Sequence, residues 1–183
     1  MHRNNLLNLI AHYQQQYPEE QDCIARFLHF VKAHPTCFER SLAIGHVTGS
    51  AWVVNEAGTH TLLTHHRKLN RWLQLGGHAD GQTDILAVAL REAQEESGIQ
   101  ALRPISNQIF DLDIHLIPAK GNEAPHHHYD VRFMIQVDGS DQYVVSDESH
   151  ALSWVSIAQL TDKTQEESML RMQKKWQAQQ ASP

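Results

Sequence analysis

Three glutamates stand close together at Glu92, Glu95 and Glu96. On a helix, Glu92 and Glu96 share a face and Glu95 lies beside them at the i+3 position. Like charges so placed repel, by about 0.2–0.5 kcal/mol for each i,i+4 pair in an isolated helix. Two arrangements relieve the repulsion. The face can be solvated, as many acidic helix faces are. Alternatively, it can hold a hard divalent cation such as magnesium, which takes a few carboxylate oxygens and keeps water and substrate phosphates. The turn at Gly76-Gly77 lets backbone approach a metal or phosphate with no side chain between.

The order of residues from Gly76 to Ile99, GGHADGQTDILAVALREAQEESGI, resembles the Nudix box, G-x5-E-x7-R-E-U-x-E-E-x-G-U, where U is apolar. Gly77 matches the first glycine, Arg91-Glu92 the R-E and Ala93 the first U. Glu95-Glu96 match the E-E, Gly98 the last glycine and Ile99 the last U. Two positions depart. Thr83 stands where the family has its first Glu, with Asp84 beside it as a substitute if the helix begins slightly later. Leu75 replaces a frequent proline. The likeness covers roughly residues 42 to 160, including Trp72 upstream and the stretch Glu148 to Trp154, and looks like a bacterial subgroup with a GGHAD-type box.

This resemblance implies an α+β fold, the Nudix α/β/α sandwich with a mixed sheet. It implies Mg²⁺ or Mn²⁺ held by Glu92, Glu95 and Glu96 with the Gly76 carbonyl. Arg91 would orient the carboxylates, and Glu92 or Glu148 would act as general base. The implied reaction is metal-dependent hydrolysis of a diphosphate linkage in a nucleoside diphosphate derivative. Two alternatives stand beside it: cleavage of nucleoside triphosphates, and a non-catalytic nucleotide-binding regulatory domain, for which Thr83 gives a foothold.

A second concentration of chemistry lies in two strands, 110–117 and 127–137, around a loop with Pro118, Gly121 and Pro125. Side chains alternate along a strand, so Phe110, Leu112, Ile114, Leu116, His127, Tyr129, Val131, Phe133 and Ile135 should face the core. Asp111, Asp113, His115, His126, His128, Asp130 and Arg132 should share the other face. Antiparallel pairing about the loop would set His115 near His128 and Asp113 near Asp130. Two readings remain open. One is a second metal or substrate site formed by His78, Asp80, Asp113, His115, His126, His128 and Asp130. The other is a polar, partly solvated sheet face. Arg132, Lys68 and Arg67 are candidates for phosphate contact.

The elements that must position these groups follow from periodicity. Asp84 to Ser97 reads as a helix capped by Thr83 or Asp84 and closed by Gly98. Segments 46–55 and 59–65 flank a turn and read as a hairpin. Residues 72–75 form a short strand, as do 143–145 and 152–155. Met169, Met172 and Trp176 stripe a last helix. Before residue 42, Leu6, Ile10 and Tyr13, then Ile24, Phe27, Leu28 and Val31, recur at helical spacing. Residues 1–40 are thus expected as an N-terminal helical extension, and 41–183 as the Nudix domain with its C-terminal helix.

Composition narrows the partners. Fifteen Lys and Arg against 21 Asp and Glu give a net charge of −6, which disfavours bulk binding to nucleic acid. Cys23 and Cys37 form no C-x-x-C pair and fit a reducing, cytoplasmic setting. No signal segment or membrane span is apparent. The expected partner is a small nucleotide-like molecule, with a homodimer possible on the helical extension.

Overall fold

The computed structural model describes residues 2–67, 69–119, 121, 124–145 and 149–181. Two helices open the chain, α1 (Asn4–Gln16) and α2 (Gln21–Ala33), joined by a 3₁₀ turn at Pro18–Glu20. The apolar stripe of α1 is buried at Leu6, Ile10 and Tyr13, and that of α2 at Ile24, Phe27, Phe30 and Val31. Both stripes belong to the same core as the sheet. Phe30 stacks on Tyr129, with ring centroids 3.7 Å apart.

Strands β1 (Gly45–Val54), β2 (His60–His66), β3 (Arg71–Leu73) and β4 (Leu75–His78) precede α3 (Ile85–Ser97). After it come β5 (Leu102–Pro104), β6 (Asp111–Ile117), β7 (His126–Val137), β8 (Ser149–Ser156) and α4 (Glu167–Ala181). The path β3-β2-β1-β7-β5 runs through one mixed sheet; β4 pairs with β1, β6 with β7 and β8 with β2. The central β1–β7 pair is parallel and the others are antiparallel. Every residue of β1 is buried, because both faces of the sheet are covered.

On one face Val47, Ala51, Val131, Phe133 and Leu112 pack with Val88, Ala89 and Ala93 of α3 and with α1 and α2. On the other, Trp52, Val54 and Met134 pack with Met169, Met172 and Trp176 of α4. This is an α+β sandwich around a mixed sheet. The described residues include no helix long and apolar enough to cross a membrane.

Local signals set the ends of α3. Asp84 is the N-cap, its side chain accepting from the Ala87 N–H at 3.2 Å, and Gly98 closes the helix in the left-handed conformation at φ 72°. Asp84 is therefore spent on capping and does not stand in for the missing glutamate at Thr83. Three strand expectations change. Phe110 joins the α4-side cluster with Trp52, because β6 begins one residue later. Leu116 is 59% exposed near the hairpin tip. Residues 143–145 form no strand; there the Val144 N–H caps the Ser97 carbonyl at 2.7 Å.

Candidate active site

The acidic face of α3 lies against β4. Glu96, only 8% exposed, accepts the Gly76 N–H at 2.8 Å. Glu92, one turn earlier, lies over Gly77: a Cβ added there would sit 2.3 Å from Glu92 Oε2. Arg91 bridges the remaining groups. Its Nη1 is 2.8 Å from Glu92 Oε1 and 3.2 Å from Glu95 Oε2, while Nη2 donates to the His78 carbonyl at 3.2 Å. Glu95 is the exposed member. The trio thus shares one edge, where α3 meets β4, with a guanidinium offsetting part of its repulsion.

Along the α4-side face of the sheet, the expected hairpin register holds, with Asp113 opposite Asp130 and His115 opposite His128. The expected partial solvation holds toward the hairpin tip, where His115 and Asp113 stay partly exposed, but fails toward the middle of the sheet. Arg132 is 2% exposed, and Asp111 and Asp130 are fully buried. The Arg132 Nε donates to Asp130 at 2.7 Å and Nη1 to Asp111 at 3.0 Å, with Nη2 3.3 Å from Asp113. From α4, Arg171 and Lys175 add donors to Asp111, both at 2.8 Å. Thr48 and Ser50 hydroxyls donate to Asp130 at 2.8 and 2.7 Å, and Gln74 donates to its other oxygen at 3.1 Å.

Burial alone would raise the carboxyls of Asp111 and Asp113. For Asp111 the bonds and charges of Arg171, Arg132 and Lys175 outweigh it; for Asp113, His115, Arg132 and Arg171 do so. Both are held below their ordinary range. Burial would likewise lower Arg132, but Asp130, Asp113 and Asp111 raise it instead.

This network corrects several expectations. Arg132 is a buried partner of three carboxylates, so its donors are committed and it presents no phosphate-binding fork. Asp113 and Asp130 spend their oxygens on Arg132 and its neighbours and are not available as metal ligands. Asp80 is engaged in an ion pair with Arg40. Arg67 is exposed and donates to the Ser149 carbonyl at 3.3 Å. Lys68 and Glu148 lie outside the described residues.

The NUDIX domain family model matches residues 46–175, which is well over half of the chain. The chain belongs to the Nudix hydrolase family. Solved structures repeat its fold. An Ap4A hydrolase of C. elegans, in a binary complex, aligns at TM-score 0.58 and 18% identity over 74% of this chain and 97% of that one. The MutT protein of Methanosarcina mazei aligns at 0.57 and 18% over 77% and 99%. The E. coli dihydroneopterin triphosphate pyrophosphohydrolase aligns at 0.53 and 14% over 70% and 92%. No curated protein matches the sequence. The N-terminal helices precede the matched segment, yet they share the Nudix core.

The Nudix box supplies hard carboxylate oxygens on a backbone stripped of side chains, which suits a magnesium-class cation. At Gly76 a Cβ would stand 2.2 Å from Ser50 Oγ and 2.7 Å from its Cα, so close approach is required on both sides of β4. Beside the box lie five imidazoles. The His46 ring centroid is 5.0 Å from those of His78 and His126 and 4.8 Å from His128. His115 is 5.4 Å from His128, and its Nδ1 bonds Asp113 at 3.0 Å. Burial, helped by the surrounding rings, lowers His46 to about 4 and His128 to about 2, so both are neutral at physiological pH.

Sequence reading missed His46, Thr48, Ser50 and Gln74. Alternation along 46–54 places the first three on one face, but their partners arrive through the distant β7. Trp72, upstream of the box, stacks on His65 with centroids 5.0 Å apart, and Lys163 Nζ lies 3.8 Å from its ring centre.

Proposed function

We propose that this Nudix domain hydrolyses a diphosphate linkage in a nucleoside diphosphate derivative, using Mg²⁺ or Mn²⁺ held by Glu92, Glu95, Glu96 and the Gly76 carbonyl. The observation that carries this reading is the seating of Glu96 and Glu92 directly on Gly76 and Gly77. When bound, such a cation neutralises charge on diphosphate oxygens and acidifies water.

The chain's own residues supply position and proton transfer. Glu96 ties α3 to β4 through the Gly76 N–H. Arg91 pairs with Glu92 and Glu95 and anchors the His78 carbonyl. Glu92 is the favoured general base, with Glu148 the other candidate. Water forms a new bond to phosphorus, its proton passes to the carboxylate, and the bridging oxygen leaves with the second phosphate. Such displacement depends on placement and electrostatics, without a covalent enzyme intermediate. Arg67 and Lys68 are the remaining phosphate-binding candidates.

The names of two structural neighbours, for Ap4A and dihydroneopterin triphosphate, support a phosphoanhydride as substrate. The test is a hydrolysis screen over dinucleotides, nucleotide sugars, nucleotide alcohols and triphosphates, with and without Mg²⁺ or Mn²⁺, and products identified by mass. Two phosphorylated products from a nucleoside diphosphate derivative are expected. Preferential cleavage of triphosphates, or tight binding without turnover, would replace this reading.

A further inference from the structure

Three strands deliver an imidazole to one spot: His46 from β1, His78 from the end of β4 and His128 from β7. One possible ligand atom of each lies within 4.8 Å of those of the other two, the group among the described residues that meets this spacing. The sheet enforces it. His46 is directly opposite His128 in the parallel β1–β7 pair, and His78 is opposite Thr48, two residues along β1 from His46. Neighbours across a strand and on its diagonal share a face.

The site is also unfinished. His46 is 3% exposed, yet among the described residues neither of its ring nitrogens has a hydrogen-bond partner, and nor does His128 Nε2. Buried polar atoms are nearly always paired. Orphan nitrogens that converge with a third imidazole offer lone pairs to an acceptor of lone pairs.

We propose that His46, His78 and His128 bind a first-row transition-metal ion of the Zn²⁺ class, at a site separate from the magnesium-class carboxylates of the Nudix box. Imidazole suits Zn, Cu, Fe and Ni, whereas carboxylate suits Mg and Mn. Zinc–nitrogen bonds of about 2.0–2.1 Å in a tetrahedron set ligand nitrogens about 3.4 Å apart, so side-chain rotation closes the present spacing. Three protein ligands leave a fourth position for an exchangeable group, the pattern of reactive rather than purely structural zinc sites. The backbone of one ligand is already tied to the box, since the His78 carbonyl accepts from Arg91. An ion here would therefore stiffen β4 beside Gly76 and Gly77.

This inference stands apart from the hydrolase reading, because its readout is metal uptake rather than turnover. Full-length protein, stripped with a chelator and dialysed into excess Mg²⁺, is titrated with Co²⁺ by visible absorption and with Zn²⁺ by calorimetry. One equivalent of Co²⁺ with the intense bands of four- or five-coordination is expected, displaced by Zn²⁺. His46→Gln and His128→Gln should each weaken binding at least about a hundredfold, while Glu96→Gln retains it. Circular dichroism checks folding, and the less buried His78→Gln carries the same expectation should His46→Gln fail to fold. No stoichiometric uptake, a weak octahedral spectrum, or uptake that survives His46→Gln and His78→Gln would overturn the site. Loss of uptake under Mg²⁺ or in Glu96→Gln would reassign it to the carboxylates.

Discussion

Gly77 and Glu92 occupy a space with no room for one more carbon: a Cβ at position 77 would lie 2.3 Å from Glu92 Oε2 and 2.5 Å from its Cδ. The obstructing atoms are the far end of a flexible side chain, so the fold can yield while the carboxylate cannot stay. Gly77→Ala should therefore lower turnover by about tenfold to a hundredfold, an active-site displacement effect of roughly 1.4–2.7 kcal/mol. Thermal melting should shift by only a few degrees. Steady-state kinetics with parallel melts would test this, and unchanged turnover would remove Glu92 from the reacting centre.

Glu96 gives a complementary expectation. Glu96→Gln keeps an oxygen for the Gly76 N–H but removes the charge. Metal-dependent turnover should fall by about a hundredfold or more, with circular dichroism and melting close to those of the parent. Full activity in a folded variant would remove the carboxylate site from the mechanism.

Arg132 should matter to stability rather than to substrate affinity. Arg132→Met leaves Asp111, Asp113 and Asp130 facing a buried apolar chain, and breaking a buried ion pair costs about 3–5 kcal/mol. Urea unfolding measures the loss. The pH dependence has a definite sign. The folded protein holds Asp111 and Asp113 below the ordinary carboxyl value of 3.8. Their contribution is thus complete above that value and is lost as pH falls through the depressed folded values. The stability gap between parent and Arg132→Met should narrow as pH falls from about 4 toward 2. A gap that widens would contradict the network.

Tyr13 joins the N-terminal helices to the rest of the chain. Its hydroxyl donates to Glu20 at 2.5 Å and accepts from Lys175 at 2.5 Å and from the Leu112 N–H at 3.3 Å. Tyr13→Phe leaves those groups short of a partner and should cost about 1–3 kcal/mol, measured by chemical denaturation. A neutral result would mean that the helices dock by apolar packing alone.

What the sequence made legible was local. The limits of α3 followed from Asp84, Gly98 and the period of its apolar residues, and the β6–β7 register followed from symmetry about one loop. Both involve short separations, where turn chemistry and alternation suffice. The burial of Arg132 was illegible, because it depends on Arg171 and Lys175 of α4 and on hydroxyls of β1. His46 was illegible because its partners, His78 and His128, arrive from the separate strands β4 and β7. The strand expected at 143–145 rested on β-propensity alone, which packing overrides.

The parallel seam of β1 and β7 has a kinetic consequence. Thr48 and Asp130, bonded across it, are 82 residues apart, so the chain must close a very large loop before the central ladder returns any enthalpy. Topologies dominated by such distant pairings fold slowly. The helix bearing the glutamates can form early on its own local signals, but the imidazole cluster can assemble only once this seam has closed.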